Sequence, residues 1–243
     1  MIGIGTIVNT AAVIIGSLIG LLLKKGIPEK VGVSVLKALG VATMFIGIGC
    51  TLQEMLFVGA DGQLSTRGVM MMIISLALGT LVGELLQIEE GLDKLGEKMK
   101  NTKLLRNSET FSEGFITATL VVCVGAMAIV GSLRDGMLGD PTMLYSKSAL
   151  DFISTMMFAS ALGVGVLISA VPMALYQGGI TLLAGLIGGF FTESIISDLS
   201  LVGSVLIFGV GVNLVFGKKL KVGNMIPALL VPILYGLFEL IKK

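Results

Sequence analysis

Residues 2–23 read IGIGTIVNTAAVIIGSLIGLLL and contain no charged side chain. A helix that crosses the hydrocarbon core of a bilayer needs about 20 consecutive, mostly apolar residues. No positively charged region precedes the stretch and no small-residue cleavage signature stands out after it, so it does not read as a cleaved signal peptide. It therefore predicts a retained membrane-spanning helix.

The composition of the whole chain extends this prediction. Of 243 residues, 54% are hydrophobic and 14% are charged, and the mean hydropathy is +0.99. A soluble domain carries about 25% charged residues, so this chain has too few charges to cover a water-facing surface. We predict an all-α, polytopic integral membrane bundle with an apolar exterior.

The residue types that are missing narrow the chemistry. The chain has no histidine, which excludes Ser-His and Cys-His catalysis and zincin motifs. Its two cysteines, Cys50 and Cys123, lie in apolar stretches without metal-ligand spacing. The net charge is +1 and no basic stripe is present, so no nucleic-acid partner is expected. No catalytic residue, metal ligand or cofactor is predicted.

Eight segments are long and apolar enough, or nearly so, to span a membrane. Seven spans with a re-entrant segment are the alternative, because Pro172 and Tyr176-Gln-Gly-Gly179 interrupt the chain without adding charge. One transmembrane domain over 1–243 is expected, with hairpin pairs at approximately 1–58, 68–133, 150–192 and 200–241. The segments are 2–23, 39–58, 68–88, 112–133, 150–170, 174–192, 200–216 and 224–241.

Lysine and arginine in the loops predict the orientation. Most of the 17 basic residues fall in segments 24–38, 89–111 and 217–223, which lie on one side if the chain has eight spans. Basic loops stay in the cytoplasm, so the N-terminus is predicted outside a bacterial cytoplasmic (inner) membrane. Segment 89–103 has apolar residues on one helical face and charges on the other, which predicts an amphipathic helix at the cytoplasmic interface.

Repeated motifs suggest internal duplication. Gly16-Ser-Leu-Ile-Gly20 resembles Gly79-Thr-Leu-Val-Gly83, and Ser112-Glu-Gly-Phe-Ile-Thr117 resembles Tyr176-Gln-Gly-Gly-Ile-Thr181. We read these as repeated helical hairpins, and the sequence leaves open whether the repeats are parallel or inverted. The small-xxx-small spacing also predicts that helix backbones approach closely at these glycines.

Polar residues inside apolar spans are costly, so they tend to face a pathway or a partner. Asn9 is expected in the outer half of the first span, and Gln177 at the cytoplasmic entrance of the sixth. Glu84 and Glu113 are expected near the membrane interfaces. Their side chains could extend to the headgroups there or contribute to a site, and the sequence does not decide between these alternatives. The candidate solute or ion pathway is Asn9, Glu84, Glu113, Gln177 and Asn213.

A second polar group follows the fourth span, within and after Gly131-Ser-Leu-Arg-Asp-Gly136. Arginine can pair bidentately with a carboxylate there, and the nearby glycines permit sharp turns. An external loop with local ion pairs is one interpretation, and an outer gate or solute-docking point is the other. The candidate outer gate is Arg134, Asp135, Asp140, Lys147 and Asp151.

The order of these motifs along the chain resembles that of a known family of membrane proteins. Asn9 with Gly16 and Gly20, the Ser-Leu-Arg-Asp-Gly run, Gln177-Gly178 and the ending Asn213…Val222-Gly-Asn-Met-Ile-Pro227 resemble the bacterial YdfK/YqgA family of polytopic membrane proteins. The resemblance spans essentially the whole chain. It implies a bacterial inner-membrane location and is compatible with transport, but it implies no substrate.

Repeated hairpins, glycine-dense packing, broken helices and amide side chains inside apolar spans favour a transporter or channel for a small solute or ion. No Walker loop is present, so transport is expected to be passive or ion-coupled. Flux that Asp151→Asn or Glu113→Gln abolishes is the corresponding prediction. A non-transporting scaffold subunit is the alternative, and an intramembrane enzyme using Asp140 and Asp151 is a third. The expected partners are the lipid bilayer and an unidentified solute, and a homo-oligomer is left open.

Overall fold

The described residues form an α-helical bundle with one small β-hairpin. A computed structural model describes residues 2–24, 29–91, 94, 110–123, 126–187 and 189–241. The hairpin pairs β1 (Leu56–Val58) with β2 (Leu64–Thr66), antiparallel, with Phe57 opposite Ser65. The helices are α1 (Ile4–Lys24), α2 (Glu29–Met55), α3 (Val69–Leu86), α4 (Phe111–Cys123), α5 (Ala126–Leu138), α6 (Thr142–Leu162), α7 (Gly165–Ile168), α8 (Ala170–Ile187), α9 (Glu193–Phe216), α10 (Val222–Met225), a 3-10 turn (Ile226–Leu229) and α11 (Leu230–Ile241).

The helical membrane architecture is confirmed, and the count of eight spans is not. Among the described residues, five helical stretches are long and apolar enough to cross a bilayer: Ile4–Lys24, Val33–Met55, Val69–Leu86, Gly165–Leu186 and Glu193–Phe216. A sixth is present if α4 and α5, bent by 56° relative to each other, form one broken span. Helix α6 is too polar to pass as a span by hydropathy, because it contains Lys147, Asp151 and several hydroxyl residues, but it packs along the candidate span α1.

The break between the predicted fifth and sixth spans lies earlier than expected. Helix α6 ends at Leu162, and the next residue, Gly163, has a φ of +86°, which lies in the region that favours glycine. Pro172 lies in the first turn of α8, where a helix tolerates proline, and Gln177 lies well inside that helix. Helix α6, which corresponds to the predicted fifth span, begins at Thr142 and not at residue 150, so Asp151 lies in its middle rather than at its start.

The described chain divides into two compact units. Unit 1 comprises Met1–Leu39 and Glu90–Gly188, and unit 2 comprises Gly40–Glu89 and Gly189–Lys243. In unit 1, α1 packs along α6, α5 packs on α8, and α4 packs on α7. In unit 2, α3 packs on α10 and the 3-10 turn, and α9 contributes the largest share of buried residues. The single-domain and hairpin-pair divisions stay predictions.

Close helix packing at the glycine motifs is confirmed in both units. A methyl group added at Gly16 would overlap the Phe152 carbonyl oxygen, and one at Gly83 would overlap that of Asn224. The structure does not support a repeated hairpin beyond this shared packing. The predicted amphipathic helix at 89–103 lies largely outside the described residues.

Candidate functional site

Helices α1 and α6 are in close backbone contact in unit 1. Gly16 lies against the Phe152 carbonyl and Gly20 against the Met156 carbonyl, with no space for a side chain at either glycine. Small residues allow this approach, which brings the polar side chains one to two turns away within hydrogen-bond distance. The candidate site is built at this contact.

A buried ion pair lies on α6. Lys147 Nζ is 2.8 Å from both carboxylate oxygens of Asp151, four residues later on the same helical face. Lys147 is 5% exposed and Asp151 is 4% exposed. Taking two charges out of water costs several kcal/mol per ion, roughly, and only good geometry with further hydrogen bonds offsets it.

Asn9 of α1 supplies one of these further hydrogen bonds. Its side-chain amide donates to Asp151 Oδ2 at 3.0 Å and to Gln177 Oε1 of α8 at 3.1 Å. It also lies 3.7 Å from the sulfur of Met173. Asn9 and Gln177 are both fully buried. Three helices therefore contribute to one polar cluster, defined as Asn9, Lys147, Asp151 and Gln177.

The polar cluster is not saturated with hydrogen bonds. Asn9 Oδ1, an acceptor, and Gln177 Nε2, a donor, have no partner within the described structure. Leaving a buried polar group unpaired costs about 1–3 kcal/mol. An apolar core would avoid that cost, so the two atoms indicate capacity for a further polar ligand.

Two hydroxyl residues extend the polar cluster along α1 and α8. The Thr6 and Thr181 hydroxyls are 3.1 Å apart and buried. Thr6 precedes Asn9 by three residues and Thr181 follows Gln177 by four, so each lies one helical turn away on the same face. The sequence analysis missed both, although this spacing could have found them.

Asp135 has a separate task at the start of α1. Its fully buried carboxylate accepts backbone N–H groups from Gly3 at 3.3 Å, Gly5 at 3.0 Å and Thr6 at 3.4 Å. The first N–H groups of a helix have no partner within the helix and carry partial positive charge. Asp135 on α5 thus satisfies the beginning of α1 and fixes where Asn9 lies.

The residues of the candidate outer gate therefore divide into three separate arrangements. Arg134 forms a 2.6 Å ion pair with Asp140 at the surface. Hydrogen bonds from Thr142 and from Arg134 hold the pKa of Asp140 below its ordinary value. Asp135 caps α1, and Lys147 with Asp151 belongs to the polar cluster. The sequence grouped these residues because they are close along the chain, whereas α6 buries its part of the group.

The candidate pathway residues also separate. Asn9 and Gln177 are in direct contact, so the expectation that they lie toward opposite membrane faces is wrong; Gln177 is within α8 rather than at its entrance. Glu113 lies in the first turn of α4, where an acid interacts favourably with the helix dipole. Glu84 pairs with Lys221 at 3.0 Å in unit 2.

Asn213 organises a turn of unit 2 and takes no part in the polar cluster. Its Oδ1 accepts from the backbone N–H groups of Lys219 and Leu220, both at 2.9 Å, and its Nδ2 donates to the Leu220 carbonyl at 2.7 Å. These bonds close the segment that follows α9. The idea that Asn9, Gln177 and Asn213 form one site therefore holds only for the first two.

Sequence reasoning also missed Glu89 in unit 2. This acid is 4% exposed; its Oε2 accepts the Gly223 N–H at 3.0 Å and its Oε1 lies 2.8 Å from Lys218 Nζ. Its backbone N–H donates to Asn224 Oδ1 at 2.7 Å. No local pattern marks it, because its partners lie more than 100 residues away along the chain.

Together, the apolar helices and the buried charged cluster define a multi-pass α-helical membrane protein. Comparison with known proteins places it more closely. The family described as "Protein of unknown function (DUF554)" matches residues 4–236, and the chain belongs to this family. It is 33% identical over 233 residues to "Uncharacterized protein YqgA" of Escherichia coli (strain K12), covering 93% of each chain.

A second relative is similarly close. The chain is 32% identical over 228 residues to "Uncharacterized membrane protein YdfK" of Bacillus subtilis (strain 168), covering 94% of this chain and 93% of the relative. No solved structure matches. The resemblance inferred from the sequence motifs is confirmed.

Proposed function

We propose that this protein is an ion-coupled transporter of a small solute, in which the polar cluster binds the coupling ion or the solute. The observation that carries the proposal is the Lys147–Asp151 pair, which is almost completely buried in a helical membrane unit. Ionisable residues within membrane bundles mark ion pathways and proton relays.

The energetics make a purely structural role a poor explanation for the pair. Replacing a buried ion pair by apolar residues of similar volume is often neutral or stabilising, by about 1–4 kcal/mol. Apolar residues at positions 147 and 151 would also match the apolar interior of the bundle better than a lysine and an aspartate do. The fold thus keeps a charged pair at a buried position where an apolar pair is often at least as stable, in contact with amide groups that have unused hydrogen-bonding capacity.

The position of the cluster agrees with this use. It lies where α1 meets α6, and α8 adds Gln177 from a third helix. A site shared by several helices changes geometry whenever those helices move relative to one another, which is what alternating access requires. We further propose the bacterial inner membrane as the location, with the N-terminus outside because of the basic loops.

Uptake into proteoliposomes tests the proposal. Vesicles with and without a pH or Na⁺ gradient are incubated with a mixture of chloride, nitrate, lactate, inorganic phosphate, amino acids and neutral sugars. Washed vesicles are then analysed by ion chromatography and mass spectrometry. Wild-type protein is expected to accumulate at least one solute in a gradient-dependent manner, and Asp151→Asn is expected to abolish accumulation.

Asp61→Asn is the matched control, because Asp61 is an exposed acid in the β-hairpin turn, outside the polar cluster. It should leave uptake unchanged. Gradient-dependent uptake that survives Asp151→Asn at full rate would contradict the assignment of the site. No uptake of any solute above protein-free vesicles would contradict transport itself. The prediction for Glu113→Gln is tested in the same assay and is independent of the cluster.

A further inference from the structure

The charge of the polar cluster limits what can bind there. With Lys147 as an ammonium and Asp151 as a carboxylate, the four residues sum to zero charge. A cation or an anion entering alone would leave a net charge in a desolvated site, which is costly. A ligand combination that adds no net charge avoids that cost.

The hydrogen bonds disfavour a metal cation as part of this combination. Lys147 Nζ occupies both carboxylate oxygens of Asp151 at 2.8 Å, and Asn9 Nδ2 donates to Oδ2 as well. Hard cations bind several oxygen ligands, but each carboxylate oxygen here already accepts a hydrogen bond from a nitrogen donor, which leaves Asn9 Oδ1 as the only side-chain oxygen of the polar cluster without a partner in the described structure. A proton is different, because it adds to a carboxylate oxygen and releases the ammonium from it.

We infer that the solute of the proposed transporter is a small monovalent anion, taken up together with one proton. The inference rests on the proposed function and specifies its substrate class and coupling ion. Two observations support the inference. One is the geometry of the Lys147–Asp151 pair. The other is Gln177 Nε2, a buried donor without a partner in the described structure, whose side chain is linked to Asp151 through Asn9.

The step balances in atoms and charge. A proton delivered by hydronium from the bulk solution, which leaves neutral water behind, adds to Asp151 Oδ1 and forms an O–H bond, while Asn9 keeps its hydrogen bond to Oδ2. Lys147 keeps its three N–H bonds and its positive charge, and it loses its carboxylate partner. The anion accepts hydrogen bonds from Lys147 Nζ and from Gln177 Nε2. The proton and the anion together add no net charge to the cluster.

Few other groups near the pair would titrate with it. Cys123 of α4 interacts electrostatically with Lys147 and Asp151, and Tyr176 of α8 interacts with Cys123. Thiols and phenols have ordinary pKa values of about 8.5 and 10, so both stay protonated at neutral and acidic pH. On α5, Asp135 is bound to backbone N–H groups, and Arg134 is paired with Asp140. Helix α1 faces Asp151 with the uncharged Asn9.

Linkage makes the inference measurable without transport. If anion and proton bind together, the anion must increase the proton affinity of Asp151 by the same factor as protonation increases anion affinity. A tenfold coupling, within the usual range, moves the midpoint of Asp151 protonation upward by about one pH unit.

Carbodiimide labelling is the direct test, because the reagent modifies protonated carboxyl groups in apolar surroundings. Full-length protein in lipid nanodiscs is labelled across a pH series, and Asp151 and Asp135 peptides are quantified by mass spectrometry. The probes are the potassium salts of chloride, nitrate, lactate and phosphate, with gluconate at equal ionic strength as the reference. At least one anion should shift Asp151 labelling to higher pH and leave Asp135 labelling unchanged.

Two variants separate anion binding from changes in folding. Lys147→Arg keeps the positive charge and should keep an anion-dependent shift, whereas Gln177→Met removes the unpartnered N–H and should reduce the shift at least severalfold. Titration of Asp151 without anion should survive in both variants.

Two results would overturn the inference. Suppression of Asp151 labelling by Na⁺ at constant pH and ionic strength would show a cation site. An unshifted Asp151 titration with every anion, alongside gradient-dependent uptake of some solute, would leave transport standing and refute the anion. Absence of any uptake, with the anion shift present, would refute transport and leave the binding site.

Discussion

Units 1 and 2 both contain close helix contacts at glycine pairs, but the polar groups beside these contacts differ between the units. In unit 1, the glycine pair of α1 lies against carbonyl groups of α6, and in unit 2 the pair Gly79 and Gly83 lies against Ala228 and Asn224. Both contacts bring a backbone within reach of polar side chains from a distant part of the chain. The two units differ in how exposed the ion pairs near these contacts are.

Two acids of unit 2, Glu89 and Glu84, pair with lysines that reach water. Lys218 and Lys221, the partners of Glu89 and Glu84, have side chains that are 57% and 53% exposed. In unit 1 both members of the pair are buried. Partly hydrated pairs of the first kind fasten one chain segment to another at little cost, whereas a fully buried pair needs another reason to exist. The comparison therefore identifies the unit in which to look for function.

The largest expected difference between the units comes from breaking one ion pair in each. Asp151→Leu leaves the Lys147 charge buried and unpaired, and we expect a loss of about 3–5 kcal/mol in the free energy of unfolding. Lys218→Met removes a mostly hydrated partner, and Glu89 keeps its bond from the Gly223 N–H, so we expect a loss within about 1 kcal/mol. Denaturant unfolding in mixed micelles measures both. Equal losses would remove the distinction between the units.

A smaller effect tests what the units share. Gly16→Ala in unit 1 and Gly79→Ala in unit 2 each place a methyl group on a backbone atom of the facing segment, and we expect each to cost about 1–3 kcal/mol. Gly49→Ala is the control, because nothing lies near that position. It should be neutral or slightly stabilising, by up to about 1 kcal/mol, since alanine favours a helix. A tolerated Gly16→Ala would show that α1 and α6 need no close contact.

The smallest effect concerns the surface pair beside the buried one. The pKa of Asp140 is lowered in the folded protein by hydrogen bonds from Thr142 and Arg134. A lowered folded-state pKa contributes stability above the ordinary aspartate value of about 4, and this contribution is lost as the pH falls through the lower folded value. Arg134→Ala should therefore slightly reduce thermal stability at pH 7, with the difference from wild type vanishing in acid. A large difference at pH 7 would contradict this prediction, because an exposed ion pair is expected to contribute little to stability.

Much of the fold was predictable from local sequence, because bilayer thickness sets a length that apolar stretches reveal directly. Residues 2–23 and 68–88 correspond closely to α1 and α3. The prediction failed at α6, where apolar flanks suggested a span beginning at residue 150. Its first half is helical rather than a loop, and the face that carries Lys147, Ser148 and Asp151 is buried. Hydropathy along the chain cannot register burial by a partner that lies far away in sequence.

The candidate site was half predictable for a related reason. In the sequence, Asn9 and Gln177 stand out as polar residues inside apolar spans, whereas Lys147 and Asp151 stand out only as members of the charged group that follows the fourth span. The four residues therefore fall into two separate predicted sites. Their grouping depends on α1 packing against α6, a pairing of segments more than 100 residues apart. Asn213 and Glu84 carry similar sequence signals and turned out to hold unit 2 together locally.

The central claim is that the Lys147–Asp151 pair is kept for transport and not for folding. The most direct measurement compares solute uptake by wild-type protein with uptake by the double variant Lys147→Met/Asp151→Leu, after unfolding experiments on both. We predict a double variant as stable as wild type, or more stable by about 1–4 kcal/mol, with uptake reduced to that of protein-free vesicles. Uptake at the wild-type rate by the folded double variant would contradict the claim.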